Sequence, residues 1–572
     1  MITASYSFAQ TQTETIEGLT YSIDEKTNAA TLVANPDEKY SGDIVVPEKI
    51  TAEDGKEYPV TAFGDHCFMN CPDLANITIP SSVTSLGDYC FWWCSSLTNI
   101  EIPSSVTSLG DHCFSSSKIT NFIIPSSVVS IGDCCFSSCN ITTITIPSSV
   151  KSLGRNSFSS CSNLSSIYFE GSLPNTIIGT EIPNTCLFYV PNEYLQDYKE
   201  ALKDKYKFVY SKDDDGSQVA QAHFELIDGM RYLLNDEDQS AILTKLQTGY
   251  YPSDVVVPEK VVYNQKEYTV TSLGDYCFNG HTDLKSIVIP SSVTALGDYC
   301  LNYCTSLKTI NIPSSVTSIG DYCFSTCYEL SDIELSSSLI SIGDNCFSWC
   351  HKLTDITIPS SVTSLGDNCF YCCDKLANVT ISSSVTSLGD YCFGNCSNLA
   401  NINIPSSVTS LGSWCFYNCS SLTTLTIPSS VTSIGNAAFY NCSQLETLFL
   451  EGELPKGTSG SYIPTTSKLY VPKDYLQDYK DALGSKYPYI FAKEDATNIN
   501  SIKTSDITIN SNNGSVTISG LNDGEMVTFF SPDGRQIGAA QAENGTAYCT
   551  VAESSLVIAK VGNKAFKIAV KK

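Results

Sequence analysis

Apolar and polar positions recur in a fixed order along most of this chain. In the stretch that starts at Leu307, further apolar residues stand at Ile310, Ile312, Val316 and Ile319. Because Ile310 and Ile312 are two residues apart, both side chains point to one face of a short strand. A proline then stops regular strand pairing. The spacing of Val316 and Ile319 predicts irregular chain that packs inward.

The second half of the same stretch predicts a short helical turn. After Gly320, the apolar residues Cys323, Phe324 and Cys327 have the spacing of one buried side of such a turn. A strand, a corner and a helical turn cannot each bury an apolar side alone, so successive coils must stack. Strands that add at about 4.8 Å per coil give a parallel solenoid.

The sequence Ile-Pro-Ser-Ser-Val shows how often this unit is copied, with a period of 23 residues that is shortened to 22 twice. The coils form two arrays, and similar sequences flank both of them. Before the arrays, Tyr58 corresponds to Tyr268 at an offset of 210, and after them Tyr189 corresponds to Tyr470 at an offset of 281. The difference of 71 equals three additional coils plus the two shortenings. The chain is therefore a duplicated module that is three coils longer in its second copy.

This repeat unit resembles the BspA-like class of bacterial leucine-rich repeats. Their pattern Leu-x-x-Ile-x-Ile-Pro-x-x-Val-x-x-Ile-Gly-x-x-x-Phe-x-x-Cys matches coil by coil over about 63–170 and 273–451. The Asn ladder of other leucine-rich repeats is missing, so their detailed backbone is not expected here. The resemblance implies a surface adhesin of a host-associated bacterium.

The ends of a stacked core require polar caps. Upstream of the second array, the strands around Asn235 to Gln239 predict a hairpin. Downstream of the first, Tyr194, Leu195, Tyr198 and Leu202 share one side of a helix that follows a proline. The predicted fold is a mainly β repeat solenoid with short helical turns, in two arrays, plus a small C-terminal β-sandwich. The predicted domains are a signal-peptide remnant or disordered tail (1–12), a first capped module (13–212), a linker (213–222), a second, longer capped module (223–495) and the β-sandwich (496–572).

The two chain ends suggest export. Ser7-Phe8-Ala9 is similar to the small-residue end of a signal peptide, although a basic segment and a long apolar segment are absent. The last 70 or so residues, with Ser531-Pro-Asp-Gly and the final Lys567-Ile-Ala-Val-Lys, resemble the C-terminal sorting domain of type IX secretion. That resemblance implies recognition at the outer membrane, followed by removal or anchoring of the domain. An extracellular or outer-membrane surface location is expected.

Charge and hydropathy exclude several classes of partner. The formal net charge is −27, so nucleic acid and anionic lipid surfaces would be repelled, whereas cations and basic partners would be attracted. Charged residues make up only 16% of the chain, and no apolar stretch approaches the ~18 residues of a membrane span. No nucleic-acid partner and no transmembrane segment are expected.

Most of the 26 cysteines occupy two slots, four residues apart, in each coil. The slots vary independently, since Cys113 faces Ser117 and Cys277 precedes His281, whereas disulfides or zinc pairs within a coil would vary together. Disulfides between coils and zinc pairs remain geometrically possible, but buried free thiols are favoured because Cys is among the most buried residues. Of the other four cysteines (134, 186, 372 and 549), Cys134 and Cys372 are expected to point outward.

An aspartate follows the glycine of most coils, for example Asp298 and Asp321. Each is expected to cap the N-terminus of its own helical turn, where amide donors compensate its charge. A calcium-binding edge is the alternative, but no companion carboxylate stands at a fixed offset within the coil.

Two sets of aromatic positions are the candidate binding residues, because exposed aromatics anchor interfaces and pack on sugars. They lie between inward-pointing positions and are expected to be at least partly exposed; simple packing between coils is the alternative. The first set is His66, Tyr89, His112, Tyr276, Tyr299, Tyr322, Tyr391 and Trp414, and the second is Trp92, Trp93, Tyr303, Trp349, Tyr371, Tyr417 and Tyr440. Ten are the preferred ligand-binding candidates: Trp92, Trp93, Tyr299, Tyr303, Tyr322, Trp349, Tyr371, Tyr391, Trp414 and Tyr417.

No catalytic constellation is present in the sequence. The five histidines have no partner Ser or Cys motif, and no zinc-protease, phosphate-loop or EF-hand motif occurs. No enzyme activity, catalytic residue, metal or cofactor is predicted. The expected function is adhesion to a host extracellular-matrix or cell-surface protein or glycan; a structural coat protein and an accessory glycan-capture protein are the alternatives.

Overall fold

The computed structural model describes residues 12–35, 39–203, 205–212, 222–493, 501–503, 508–512, 515–530, 536–550, 555–561 and 564–570. The chain falls into two compact units, residues 1–376 and residues 377–572. The N-terminal segment through Thr11, positions 213–221 of the predicted linker, and the turn sequences at 531–534 and 562–563 lie outside the described residues.

The coils of the arrays stack in parallel, most of them through two short strands, and the predicted β-solenoid is confirmed. Thr309–Asn311 pairs with Asp332–Glu334, and only the central isoleucine of each strand is buried. The second strand, Ser318–Ile319, pairs with Ser341–Ile342 where the sequence predicted irregular chain. It forms because the constant period places the same Ser-Ile pair beside its copy in the next coil.

The segment after each glycine is a run of tight turns. The amide of Ser325 donates to the carbonyl of Tyr322, so the turn closes over three residues. Tyr322 and Thr326 have φ values of 55° and 62° in the left-handed region, which prevents the turns from joining into a helix. The amide of Phe324 donates instead to Cys346 of the next coil, at 2.9 Å. Coils are thus joined along this side as well as through their strands.

Both modules begin with an antiparallel hairpin that continues into the solenoid sheet. In the second module, Met230–Asn235 pairs with Ser240–Thr244, which confirms the predicted hairpin. The bounding strands are Gln12–Ile16, Leu19–Asp24, Ala29–Val33, Gly42–Val45, Lys49–Thr51 and Glu57–Phe63 in the first module, and Ala222–Ile227, Met230–Asn235, Ser240–Thr244, Asp254–Val256, Lys260–Tyr263 and Lys266–Leu273 in the second.

Both modules end with a short helix. The first cap contains 3-10 turns at Ile177–Thr180 and Asn192–Tyr194 and an α-helix at Leu195–Leu202, where Tyr198 and Leu202 are buried as the sequence predicted. The corresponding elements of the second cap are Thr458–Gly460, Lys473–Tyr475 and Leu476–Leu483. No helix among the described residues has the length and apolar character needed to cross a membrane.

The strands of the arrays are short. In residues 1–376 the array strands and those that follow the first array are Leu74–Thr78, Ser85–Leu86, Ser108–Leu109, Ser130–Ile131, Thr143–Ile146, Ser152–Leu153, Ser166–Phe169, Leu187–Val190, Val209–Ser211, Ser286–Val288, Ala295–Leu296, Thr309–Asn311, Ser318–Ile319, Asp332–Glu334, Ser341–Ile342, Asp355–Thr357 and Ser364–Leu365. In residues 377–572 they are Asn378–Thr380, Ser387–Leu388, Ser410–Leu411, Thr424–Ile427, Ser433–Ile434, Thr447–Leu450, Lys468–Val471 and Ile490–Ala492.

The C-terminal part is a pair of four-stranded antiparallel sheets, consistent with the predicted sandwich. Val516, Ile518, Val527, Phe529 and Val557 form the centre of its core. One sheet contains Ser501–Lys503, Thr508–Asn512, Ser515–Ser519 and Thr546–Thr550, and the other contains Met526–Phe530, Gln536–Gln541, Ser555–Val561 and Lys564–Val570.

Within residues 1–376, the end of the first module packs directly on the start of the second. Leu187 and Phe208 of the first module form a small apolar core with Ala222 and Leu233 of the second hairpin. The amide of Ser160 donates to the hydroxyl of Tyr276 at 2.9 Å, across the same junction. The two modules are therefore joined by apolar packing and by hydrogen bonds.

Candidate functional site

The aromatic positions fall into columns, and the columns differ in whether the ring faces pack on neighbouring rings or are open to solvent. In the column that follows the aspartates, Tyr299 and Tyr322 stack at 4.6 Å and 6°, and Tyr89 and His112 stack at 4.5 Å and 9°. All of these residues have positive φ. Stacked neighbours use the ring faces, so this column presents mainly ring edges to solvent.

The predicted second aromatic set divides into two columns. Trp93, Tyr303 and Trp349 stand two residues after the buried Phe or Leu of their coils, have positive φ, and are 53%, 48% and 42% exposed. Trp92 and Tyr371 follow the buried Phe directly and are half-buried. The first group has left-handed backbone, and the sequence pattern alone did not separate the two columns.

One group of connected rings lies in the second array, and we call it the second-array patch: Tyr303, Tyr328, Trp349, His351 and Tyr371. Tyr328 lies 6.4 Å from Tyr303 and stacks on His351 at 5.2 Å, measured between ring centroids. Trp349 meets His351 edge-on at 5.7 Å and Tyr371 at 5.9 Å. In an edge-on pair the edge of one ring rests on the face of the other, so the ring that offers its edge keeps its own faces open for contact with a ligand.

Polar groups hold and border the second-array patch. Asp374 forms a short contact with Nδ1 of His351. Lys352 donates to the half-buried Glu329 at 2.7 Å, and this hydrogen bond lowers the pKa of the Glu329 carboxyl. The patch is therefore an aromatic surface with charged groups at its rim, the composition of a protein interface.

Sequence reasoning predicted Tyr303, Trp349 and Tyr371 in this patch but missed Tyr328 and His351. Both follow the second cysteine of their coils and stand one 23-residue period apart. Reading that column of the repeat would have found them.

A second group of rings lies in the first array. Trp92 packs edge-on against Tyr89 at 6.3 Å and against Trp93 at 5.5 Å. Tyr89 also stacks between His66 and His112. These five residues form the first-array patch.

A third group, the terminal patch, lies in residues 377–572. Trp414 contacts Tyr391 at 5.7 Å, Tyr417 at 5.4 Å and Tyr440 at 5.5 Å. Tyr462 extends the group with an edge-on contact to Tyr440. Sequence reasoning missed Tyr462 because it belongs to the cap, where the repeat pattern has ended.

Tyr276, Tyr299 and Tyr322 lie at the junction of the two modules. Tyr276 is only 3% exposed, so the expectation of partial exposure was wrong for this residue, because the first module covers it. Tyr299 and Tyr322 are half-buried and line a small cavity with Glu181 and Lys205. Burial raises the pKa of Glu181.

The aspartates form a hydrogen-bonded ladder between coils. Oδ1 of Asp298 accepts the amide of Asp321 at 2.8 Å, and Oδ1 of Asp65 accepts the amide of Asp88 at 2.9 Å. The prediction that each aspartate caps its own turn was wrong, because the carboxylate reaches the amide one coil further on. The described residues contain no group of three or more His, Cys, Asp or Glu arranged to hold a metal ion.

The same ladder explains the glycine that precedes each aspartate. A Cβ atom at Gly110 would lie 2.7 Å from both the amide nitrogen and Oδ1 of Asp88. The position requires glycine because neighbouring coils approach too closely for a side chain.

All 26 cysteines are free thiols in the structure. In the second slot, the thiol donates to the main chain of the preceding coil: Cys327 Sγ lies 3.2 Å from the carbonyl oxygen of Leu301. Burial raises the pKa of Cys94 and Cys139 to about 12, so these thiols stay protonated and unreactive at neutral pH.

Two of the off-ladder cysteines were expected to point outward. Cys134 is partly exposed, but Cys372 is buried at 8% exposure, so the expectation was wrong for Cys372. Its short side chain occupies the column position that Trp349 holds one coil earlier and does not reach past the surrounding chain.

Comparison with known families agrees with the coil geometry. The profile of the BspA type leucine rich repeat region matches residues 58–187, 263–376 and 363–466, which is more than half of the chain. The chain belongs to this family. Members are repeat proteins and typically non-catalytic surface proteins. No curated protein matches the chain.

Solved structures of bacterial leucine-rich repeat proteins are similar to this chain. A protein from Bacteroides ovatus has 24% identity, covers 80% of this chain and 99% of its own length, and has a TM-score of 0.34. A T. pallidum leucine-rich repeat protein has 26% identity over 38% of this chain and 87% of its own, with a TM-score of 0.31. A leucine-rich cell surface protein from Faecalibacterium prausnitzii has 20% identity over 77% and 94%, with a TM-score of 0.24.

Proposed function

We propose that this protein is a secreted or surface-displayed binding protein, and that it acts as an adhesin for an extracellular host protein or glycan. The second-array patch carries the proposal. Trp349 meets two neighbouring rings edge-on, Tyr303 and Trp349 are almost half exposed, and charged groups stand at the rim of the patch. Aromatic side chains in such a setting supply large contact area at low cost in conformational entropy.

Three patches on one chain also favour adhesion. Weak contacts at the first-array, second-array and terminal patches would add through effective concentration when a ligand is repetitive or immobilised. The resemblance of residues 496–572 to a type IX sorting domain supports export to the outer surface, where such contacts would be made.

The proposal is tested with the full chain and a panel of immobilised host matrix proteins and glycans. The test variant carries Tyr303→Ala and Trp349→Ala. The control carries Tyr250→Ala and Tyr548→Ala, which truncate two exposed rings outside the three patches. Circular dichroism confirms that both variants fold.

The adhesin role is supported if binding is saturable, if the affinity falls at least about tenfold in the test variant, and if the affinity of the control is unchanged. Equal loss in both variants contradicts the assignment to the second-array patch. No binding to any panel member, together with concentration-dependent self-association in sedimentation velocity, favours the structural coat role instead.

A further inference from the structure

A cleft opens where the two modules meet within residues 1–376. Its volume is about 1150 Å³, which exceeds the usual range of small-molecule pockets, ~300–1,000 Å³. One wall consists of the last strands and helix of the first module, and the other of the hairpin and first coils of the second. Neither module alone forms this cavity, and it is separate from the aromatic patches.

Three tyrosines of consecutive strands form a row along the first wall. Tyr168 stacks on Tyr189 at 4.8 Å and 10°, and Tyr210 follows at 6.1 Å with a tilt of 40°. The strand partner of Tyr168 on its other side is Thr145, which is too small to cover a ring. Tyr168 is accordingly 38% exposed and offers one open ring face at the end of the cleft.

The same wall carries unpaired positive charge. Lys199, Lys207 and Lys212 line the cleft, are exposed, and form no ion pair within the described part of the chain. This is unusual in a chain with a formal net charge of −27, where acidic side chains outnumber basic ones by almost two to one. Because the three lysines outnumber the two acidic residues that line the cleft, Glu237 and Asp238, an anionic group would be attracted to the lysine wall and repelled by most of the remaining surface.

The opposite wall supplies hydrogen-bonding groups. Glu237 and Asp238 belong to the turn of the hairpin, and Asn235 and Ser240 are the paired strand residues on either side of it. Glu237 and Asp238 are in no ion pair among the described residues, and a carboxylate of this kind accepts hydrogen bonds from sugar hydroxyls. Phe208, by contrast, is only 5% exposed, so its ring offers little surface to a peptide side chain.

We propose that the cleft between the modules binds an anionic oligosaccharide. The uronate or sulfate groups of the ligand contact Lys199, Lys207 and Lys212. Its hydroxyls donate to Glu237 and Asp238, and the apolar face of one sugar ring packs on Tyr168.

Titration calorimetry with the full chain tests this site. The probes are a hyaluronan hexasaccharide, which carries uronate alone, a chondroitin sulfate hexasaccharide, which adds sulfate, and the neutral cellohexaose. One anionic probe is expected to bind at one site per chain, more weakly as salt rises, and cellohexaose is expected to bind far more weakly. The better of the two anionic probes identifies the preferred charged group.

A matched pair of lysine variants locates the site. The test variant is Lys199→Ala/Lys207→Ala/Lys212→Ala, and the control is Lys468→Ala/Lys473→Ala/Lys480→Ala, whose lysines are exposed at the end of the second module. Both have the same net charge. The test variant is expected to raise the Kd about tenfold or more while the control changes it little.

A steric variant provides an independent measurement. Thr294 is exposed and lines the cleft, so Thr294→Trp is expected to abolish binding, whereas Thr432→Trp at an equivalent exposed position in residues 377–572 is not. The proposal is overturned if neither anionic probe binds, if cellohexaose binds equally well, or if both members of either pair behave alike. These outcomes leave the adhesin proposal standing, because that rests on the second-array patch.

Discussion

The amide of Asn184 donates to Oδ2 of Asp275 at 2.8 Å, and this hydrogen bond joins the cap of the first module to the first coil of the second. Burial, reinforced by the charge of Asp298, raises the pKa of Asp275 to about 8, although two amide donors oppose the shift. Glu181 and Lys205 face the same region.

The junction is therefore expected to weaken as the pH rises. Because the pKa of Asp275 is higher in the folded than in the unfolded chain, its contribution to stability is complete below about pH 4 and is lost as the pH rises through about 8. Asp275→Asn should flatten the dependence of the urea midpoint on pH between about 5 and 9. Asp88→Asn changes the same ladder away from the junction and serves as control. An unchanged slope in Asp275→Asn would contradict this prediction.

The two N-terminal hairpins differ at one row of cross-strand residues. In the second hairpin, Phe224, Leu233 and Ile242 are paired across three strands and pack on the first module. The corresponding row in the first hairpin is Thr13, Ser22 and Thr31. The hairpin that faces solvent is polar, and the one that is covered is apolar.

A fragment of residues 222–572 is therefore expected to self-associate through its uncovered apolar row. The changes Phe224→Thr, Leu233→Ser and Ile242→Thr should make that fragment monomeric in sedimentation velocity. In the full chain the same changes should lower the free energy of unfolding by about 2 kcal/mol or more, because they remove buried apolar surface. A wild-type fragment that is monomeric at high concentration would refute this interpretation.

Substitution of a glycine that precedes a ladder aspartate should destabilise the fold, even though the φ of that glycine is one that other residues adopt. Gly110→Ala places a Cβ against the main chain of Asp88, which cannot move without separating two coils. We expect a loss of about 2 kcal/mol or more in the free energy of unfolding. Gly179→Ala is the control, because the nearest atom to its Cβ would be a flexible arginine carbon at 3.6 Å. Similar costs for both variants would argue against close coil contact.

In the native protein, only the partly exposed cysteines are expected to react with a thiol reagent. Cys134 and Cys549 are the partly exposed cysteines, and Ellman's reagent is expected to modify these two in the native protein. All 26 should react after denaturation without a reductant. Cys134→Ser/Cys549→Ser should abolish the native reaction. A total below 26 in the denatured protein would reveal disulfides.

The sequence predicted the solenoid, the hairpin and the capping helix because periodic spacing determines which residues face the core. It did not predict the direction of the Asp298 carboxylate, since spacing within a coil carries no information about contacts to the next coil. Trp93 and Tyr303 were identified as candidates, but the left-handed backbone at both residues is not indicated by their residue types. The burial of Tyr276 depends on how two modules pack, which no repeat unit encodes by itself.

Every coil in the aspartate ladder offers one carboxylate to its successor and one amide to its predecessor. Insertion or removal of a whole coil by recombination therefore leaves every ladder carboxylate and every ladder amide with a partner. The ladder ends where Arg155 and Ser413 supply an amide but no carboxylate. Such exchanges would produce two modules with different numbers of coils, as this chain has. Selection could then change the length of an array by one coil at a time without changing the contacts between neighbouring coils.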